Sequence, residues 1–495
     1  MAKRPNAFTP VITIERKRSQ SLSSQIYRDI RNAITRGSLR AGQRVPSSRA
    51  LSTELNISRI PILSAYAQLL AEGYFETRQG SGTFIRRELP ESLTQCSGPT
   101  SVSPRKGFGA RHIAKRALLF PPEDAMPWRG GLGAFGVHQP AFEEFPFAVW
   151  SRLVMHHSKG PSARAIHCID PMGSKRLREA LCGYLRTARA VQAEPDQIMI
   201  VSGSQQALQI TANVLLDPGA PVWMEEPGYR LARNVFVGAG CRIIPVPVDD
   251  EGLNVAAGVK NHPNARVAYV TPSHQYPLGT TMSARRRMQL LNWSQSGSAW
   301  IIEDDYDSEY RFETPPVASL QGLDTNARVI YIGTFSKVLF ASLRLGYIVI
   351  PPDLVERFAA VRYAMDIFPP YLFQEVIADF IYEGHFSRHI RRMRLLYEGR
   401  RRKLVELLTS SCGNMLEIKG SAAGMHLTTV FRSHRDDVGI AQRAAALNLW
   451  LWPLSTSYVT KNSRSGLVLG YGNVAVQAIP RAVSKLRSVL GQRAK

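Results

Sequence analysis

Seven short apolar runs constrain this chain more than any other feature: Ile198 to Val201, Val222 to Met224, Ile243 to Val246, Val267 to Val270, Trp300 to Ile302, Val329 to Ile332 and Tyr347 to Ile350. Each has the length of a buried strand, and several are separated by helix-length segments such as Ser283 to Ser294, which carries its own serine cap. That alternation predicts a largely parallel sheet covered on both faces. Ligands bind such sheets beyond the carboxyl ends of the strands, so the residues just after each run are where chemistry is to be sought.

Four runs are followed by polar clusters. After Val201 comes Ser202-Gly203-Ser204-Gln205-Gln206, a glycine turn opening a helix whose free amides and hydroxyls suit a phosphate. After Met224 comes Glu225-Glu226-Pro227-Gly228-Tyr229, an aromatic on a turn able to stack on a flat ring. Ile302 leads into Glu303-Asp304-Asp305-Tyr306-Asp307, where a buried carboxylate could hold a pyridinium proton. Ile332 leads through Gly333, Thr334 and Ser336 to Lys337, with Arg344 seven residues on. A lysine in an apolar setting loses solvation for its ammonium, so its amine becomes a nucleophile, and the hydroxyls with Arg344 suit a phosphate. Taken singly, each cluster has a plainer reading: glycine turns cap helices, tyrosines fill cores, acidic runs are solvated and lysines are surface cations. Convergence on one sheet edge is what weighs against all four at once.

At 495 residues, two or three domains are expected. The chain has no apolar stretch of about 18 residues and no signal-like start, so a cytoplasmic protein with no membrane partner is expected. Cys96, Cys168, Cys182, Cys241 and Cys412 form no C-x-x-C pair, which suggests neither a disulfide framework nor a metal site. The formal charge of +23 favours polyanionic partners, and residues 1 to 87 hold 15 Lys or Arg against 5 Asp or Glu.

That basic segment has its own pattern. Leu22, Ile26, Ile30 and Ile34 recur at helical spacing up to Gly37, Pro46-Ser47-Ser48 opens a second helix, and Ser58 is expected to cap a third that stops at Gly73. Two alternating segments around Gln79-Gly80-Ser81-Gly82 read as a hairpin. Three helices and a hairpin make a winged helix. The text Gln43-Arg44-Val45-Pro46-Ser47-Ser48-Arg49, Asn56-Ile57-Ser58-Arg59, Leu69-Leu70-Ala71-Glu72-Gly73-Tyr74 and Gln79-Gly80-Ser81-Gly82-Thr83 resembles the GntR class of winged helix-turn-helix domains. The resemblance implies that Arg49, Ser58, Arg59 and Gly80 approach operator DNA. Physically, Arg59 at the start of a major-groove helix can read guanine, while Arg49 and the wing amides hold phosphates. Ile60-Pro61 stand where related regulators usually have polar residues, so specificity should lean on Arg59 and on dimer spacing.

From about residue 130 onward the clusters resemble fold-type I aminotransferases, and the fusion resembles the MocR/GabR family of bacterial transcription regulators. The expected fold is multidomain: a winged helix-turn-helix (α+β) at 1–87, a Pro- and Ser-bearing linker at 88–128, and an α/β aminotransferase-like domain at 129–495. That domain would combine a largely parallel seven-stranded sheet with a small C-terminal α+β subdomain. The resemblance implies pyridoxal 5'-phosphate joined to Lys337 as a Schiff base, Asp304 at the pyridine nitrogen, Tyr306 at the ring hydroxyl and Tyr229 stacked on the ring. Ser204, Gln205, Thr334, Ser336 and Arg344 would hold the phosphate. It also implies a head-to-tail homodimer.

Departures bear on the ligand. Thr271-Pro272-Ser273-His274-Gln275-Tyr276-Pro277 replaces the Asn-Pro pattern of the enzymes, Gly466 to Tyr471 has no arginine for a substrate carboxylate, and Arg464 is the nearest substitute. The GABA-sensing member carries an arginine two residues after its stacking tyrosine, where this chain has Leu231. The expected function is a PLP-dependent, DNA-binding regulator sensing an amino compound or PLP itself. The alternative is a working aminotransferase with an appended DNA module.

Overall fold

The computed structural model describes residues 12–15, 20–89, 112–120, 131–160, 170–312, 317–420, 422–460 and 463–491. Contacts divide the chain into two units, Met1–His112 and Ile113–Lys495. Most of the stretch expected as a linker lies outside the described residues. No described helix is long and apolar enough to cross a membrane.

The first unit contains helices α1 (Leu22–Thr35), α2 (Ser48–Leu55) and α3 (Arg59–Ala71), then strands β1 (Phe75–Arg78) and β2 (Gly82–Ile85). Ile26, Ile30, Leu51, Ile62, Leu69, Phe75 and Ile85 form its core. The helical spacing of the first five puts them on inward faces, while Phe75 and Ile85 pair across the antiparallel hairpin. Ser21 and Ser47 cap α1 and α2, accepting hydrogen bonds from Ser24 N at 3.3 Å and Ala50 N at 3.2 Å. Ser58 differs from expectation. It occupies the cap position of α3 with extended backbone but its side chain makes no cap bond. Pro61, at the third helical position, has no N–H to offer, so the usual partner of a cap oxygen is missing.

The second unit is built on an eight-stranded sheet, one more than expected. Its strands are β3 (Ile198–Val201), β4 (Pro221–Glu226), β5 (Arg242–Asp249), β6 (Gly252–Leu253), β7 (Val267–Val270), β8 (Trp300–Asp305), β9 (Val329–Thr334) and β10 (Gly346–Val349). The order is β3-β10-β9-β8-β7-β4-β5-β6. Neighbours from β9 through β5 run parallel, β10 is antiparallel to both its neighbours, and β6 turns back on β5. The additional strand has two residues, too few for apolar periodicity to reveal.

Alternation along the strands buries both faces. Val222, Met224, Tyr269, Ile302, Ile330 and Ile332 face one apolar layer. Trp223, Ala268, Val270, Ile301 and Val329, one residue out of step, face the other. Each large aliphatic side chain buried this way contributes about 1.5–3 kcal/mol. On the second face the helix Ala284–Ser296 is capped by Ser283 and stacks Trp293 on Trp223 at 4.0 Å between ring centroids. The expected C-terminal subdomain is a four-stranded antiparallel sheet of β11 (Leu416–Lys419), β12 (His426–Phe431), β13 (Trp452–Pro453) and β14 (Gly466–Gly470) in the order β11-β12-β14-β13. The helices His385–Cys412 and Ile479–Gly491 share its core.

Candidate cofactor site and DNA-binding unit

The acidic run at the end of β8 is sorted by the pleat, which sends alternate side chains to opposite faces. Glu303 accepts hydrogen bonds from the amides of Leu320 and Gln321 at 2.9 and 3.0 Å. Asp305 pairs with Arg189 Nε at 2.7 Å and accepts from the Tyr331 hydroxyl at 2.6 Å. Both therefore serve the opposite face of the strand, where the two partners of Asp305 share its Oδ2 and its Oδ1 is buried without a partner. Asp304, between them, points the other way, accepts from the Tyr269 hydroxyl at 2.7 Å through Oδ2, and leaves Oδ1 buried without a partner. Burial pushes the Asp304 carboxyl up to about 6, against the Tyr269 hydrogen bond and the charge of Lys337.

Lys337 follows the adjacent strand β9. Burial lowers its ammonium to about 8, opposed by Asp307 and Asp304 and assisted by Arg344. A hydrogen-bonded chain lies close by: Asp307 meets His274 Nδ1 at 3.1 Å, and the Tyr306 hydroxyl donates to the His274 carbonyl at 2.9 Å. Asp307 also accepts from Met425 N at 3.1 Å, tying the run to the small subdomain.

The turn after β3 brings Ser204 and Gln205 to the start of the helix Ser204–Leu215. Gly203 has φ +91°, and a Cβ there would come within 3.3 Å of the Arg344 guanidinium. Only glycine lets the helix start approach that cation. Arg344 Nη2 is itself anchored on the Ser202 carbonyl at 3.0 Å.

Tyr229, Ser204, Gln205, Asp304, Tyr306, Thr334, Ser336, Lys337 and Arg344 all line one cavity of about 300 Å³. The structure therefore brings together all nine residues named for a cofactor. A half-bonded buried carboxylate, a lysine of lowered pKa and an open helix start beside a guanidinium are the donor and acceptor set that pyridoxal phosphate requires. Arg464 is elsewhere in the chain: it lines a separate cavity with Glu226, Lys419 and Tyr458.

Two family descriptions match the chain: "Bacterial regulatory proteins, gntR family" over residues 22–85 and "Aminotransferase class I and II" over residues 149–466. The chain is 37% identical to "Probable rhizopine catabolism regulatory protein MocR" of Rhizobium meliloti, across 97% of this chain and 95% of that one. It belongs to the MocR-type transcription regulators. The HTH-type transcriptional regulator YhdI of Bacillus subtilis is 32% identical over 96% of this chain and 97% of its own. Among solved structures, the α-aminoadipate aminotransferase LysN of Thermus thermophilus, complexed with N-(5'-phosphopyridoxyl)-L-leucine, is 26% identical with a TM-score of 0.70, covering 76% of this chain and 97% of that one. As a MocR-type regulator, the chain binds DNA through its first unit and has pyridoxal phosphate as its cofactor.

In the DNA-binding unit of this MocR-type regulator, Arg49 is exposed on α2, and Ser58 and Arg59 are exposed at the start of α3. Arg59 Nε donates to Ser48 Oγ at 2.9 Å, which links α3 to the start of α2. Gly80 caps the hairpin tip with φ +75° and open space where a Cβ would be. Ile60 is 77% exposed beside Arg59.

Further residues line the cofactor cavity that sequence reasoning did not assign, among them His138, Tyr276 and Trp452. Tyr276 lies in the Thr271 to Pro277 stretch already noted as unusual, and that departure was the available signal. His138 comes from an irregular segment and Trp452 from a two-residue strand, and neither carries periodicity that points to a site.

Proposed function

We propose that this regulator holds pyridoxal phosphate covalently through Lys337 and reads an amino compound at the same site to change its hold on operator DNA. Asp304 Oδ1 would meet the pyridine nitrogen, Tyr306 the ring hydroxyl and Tyr229 the ring face. Ser204, Gln205, Thr334, Ser336 and Arg344 would hold the phosphate. When bound, the cofactor supplies an electrophilic carbon for a primary amine. The observation that carries this reading is the convergence of nine residues from four separated segments on one cavity around an amine lowered to about 8.

We assign a head-to-tail homodimer as the working form. Arg344 and Ala341 line the cavity yet are exposed on the isolated chain, so a second copy would be needed to close the site from water. A dimer would also present two copies of α3 to paired half-sites. At each, Arg59 would read a base while Arg49, Ser58 and the Gly80 wing hold phosphates. The effector acts by binding one dimer arrangement more tightly than another.

Borohydride reduction followed by peptide mass spectrometry tests the central assignment. A pyridoxyl adduct on Lys337, absent from Lys337→Ala, is expected, and an adduct on another lysine or none would overturn it. Sedimentation analysis reads the dimer, and an amine-to-keto-acid assay measures any turnover.

A further inference from the structure

The residues assigned to the cofactor leave part of the cavity wall unexplained: Val137, His138, Leu231, Tyr276 and Trp452. We infer that this wall receives a primary amine whose body carries no carboxylate, and that His138 is the residue that reads it. The inference rests on the cofactor assignment above and goes further by naming the ligand class.

Charge is the first argument. Among the described residues lining the cavity, the cations are Lys337 and Arg344. Lys337 is the reacting amine, and Arg344 is anchored to Ser202 and the start of the helix Ser204–Leu215. A ligand carboxylate against the remaining wall would lose its hydration without gaining a donor fork, and it would add negative charge near Asp304 and Asp307. An uncharged body pays no such penalty against aromatic and aliphatic side chains. The amino group, for its part, is attracted to ring faces while it is protonated.

His138 is the second argument. It is a non-glycine residue at φ +67°, in the left-handed region that strains such residues and persists where the surroundings enforce it. The surroundings do enforce it. Gly470 N donates to the Phe135 carbonyl at 3.0 Å, and Gln139 Nε2 donates to the Gly131 carbonyl at 2.9 Å. Asn473 Nδ2 donates to Gln139 Oε1 at 2.7 Å. The loop is thus pinned on both sides of His138, and its ring sits within 5.1 to 6.4 Å of Tyr276, Trp452, Tyr306, His426 and Tyr229. Among the described residues nothing hydrogen-bonds its ring nitrogens. Burial, with Lys337 adding to it, holds the imidazole well below its usual range, so it stays neutral and keeps an acceptor nitrogen for an O–H or N–H of the ligand. A strained, pinned, neutral histidine inside a ring of aromatics is a specificity device rather than packing filler.

The test uses the full-length, cofactor-loaded protein and matched amines: 2-phenylethylamine against phenylalanine, and butylamine against 4-aminobutanoate. Cofactor absorbance and calorimetry are both recorded. The members without a carboxylate should bind at least about tenfold more tightly than their partners. His138→Asn, which tolerates the left-handed backbone, should weaken the amines about tenfold, and His138→Gly, which removes the ring altogether, should do the same. Leu231→Arg, which introduces a guanidinium into the wall, should reverse the preference within each pair. Equal or tighter binding of the carboxylated members to the unaltered protein would overturn the inference, as would an unreversed order in Leu231→Arg. Absence of cofactor absorbance would instead count against the Lys337 assignment, with the calorimetric pairs still reporting on the wall.

Discussion

The Tyr269 hydroxyl donates to Oδ2 of Asp304 at 2.7 Å, so one oxygen of this buried carboxylate is fixed and the other is left for a ligand. The cofactor-free protein bears the cost. Because the carboxyl is raised from 3.8 to about 6 in the fold, the protonated form is favoured there, and the associated stability is lost as pH rises through that interval. At neutral pH the ionised group costs roughly 1–3 kcal/mol. Asp304→Asn should therefore raise the melting temperature of the cofactor-free protein at pH about 7 and lower cofactor retention at least about tenfold. Scanning calorimetry and dialysis read the two effects, and a destabilised Asn variant would contradict the argument.

Lys337 gives a second pH signature. Only the neutral amine attacks an aldehyde, and burial brings Lys337 down from 10.5 to about 8. Uptake of pyridoxal phosphate by cofactor-free protein should climb with pH to a half-maximum near 8 and level off above it. Stopped-flow absorbance measures this directly. A rate still climbing at pH about 10 would mean an ordinary solvated lysine.

Arg189 and Asp305 form a buried pair at 2.7 Å behind the site. Replacing Arg189 by Met leaves Asp305 charged and deprived of its cation, and should cost about 3–5 kcal/mol of stability by denaturant unfolding. Replacing both partners by apolar residues of similar volume should cost much less. Equal losses for the single and double variants would mean that packing, not charge pairing, dominates there.

In the DNA-binding unit Arg59 and Arg49, both exposed, should behave differently. Arg59→Ala should lose about 1–3 kcal/mol on its own operator and relax the preference at one base position. Arg49→Ala should weaken binding to all sequences alike and reduce the salt slope by about one. Fluorescence anisotropy at several salt concentrations separates these outcomes, and identical profiles for the two variants would refute the division of roles.

Much of the architecture was legible because buried strands and amphipathic helices write their periods into the chain. The seven apolar runs became β3, β4, β5, β7, β8, β9 and β10, and the spacing of Ile26, Ile30 and Ile34 foretold the face that α1 gives to the core of the winged helix. The strand β6 was missed because two residues hold no period, and the capping role expected of Ser58 failed because Pro61 removes the amide it needs. Asp304 could be picked from its acidic run only by resemblance; the pleat of β8 is what separates it from Glu303 and Asp305.

The sequence by itself determined seven strands of the large sheet, where a reactive lysine follows one of them, and that a basic winged helix precedes the sheet, since these depend on local residue order. Tertiary structure alone decided what surrounds that lysine. His138, Leu231 and Trp452 are separated by about a hundred residues or more from Lys337 in the chain, and Arg464 is excluded from the cavity despite lying in the C-terminal segment. Which side chains meet across a sheet edge depends on chain crossovers and on the seating of the small subdomain, neither of which is encoded in any single stretch.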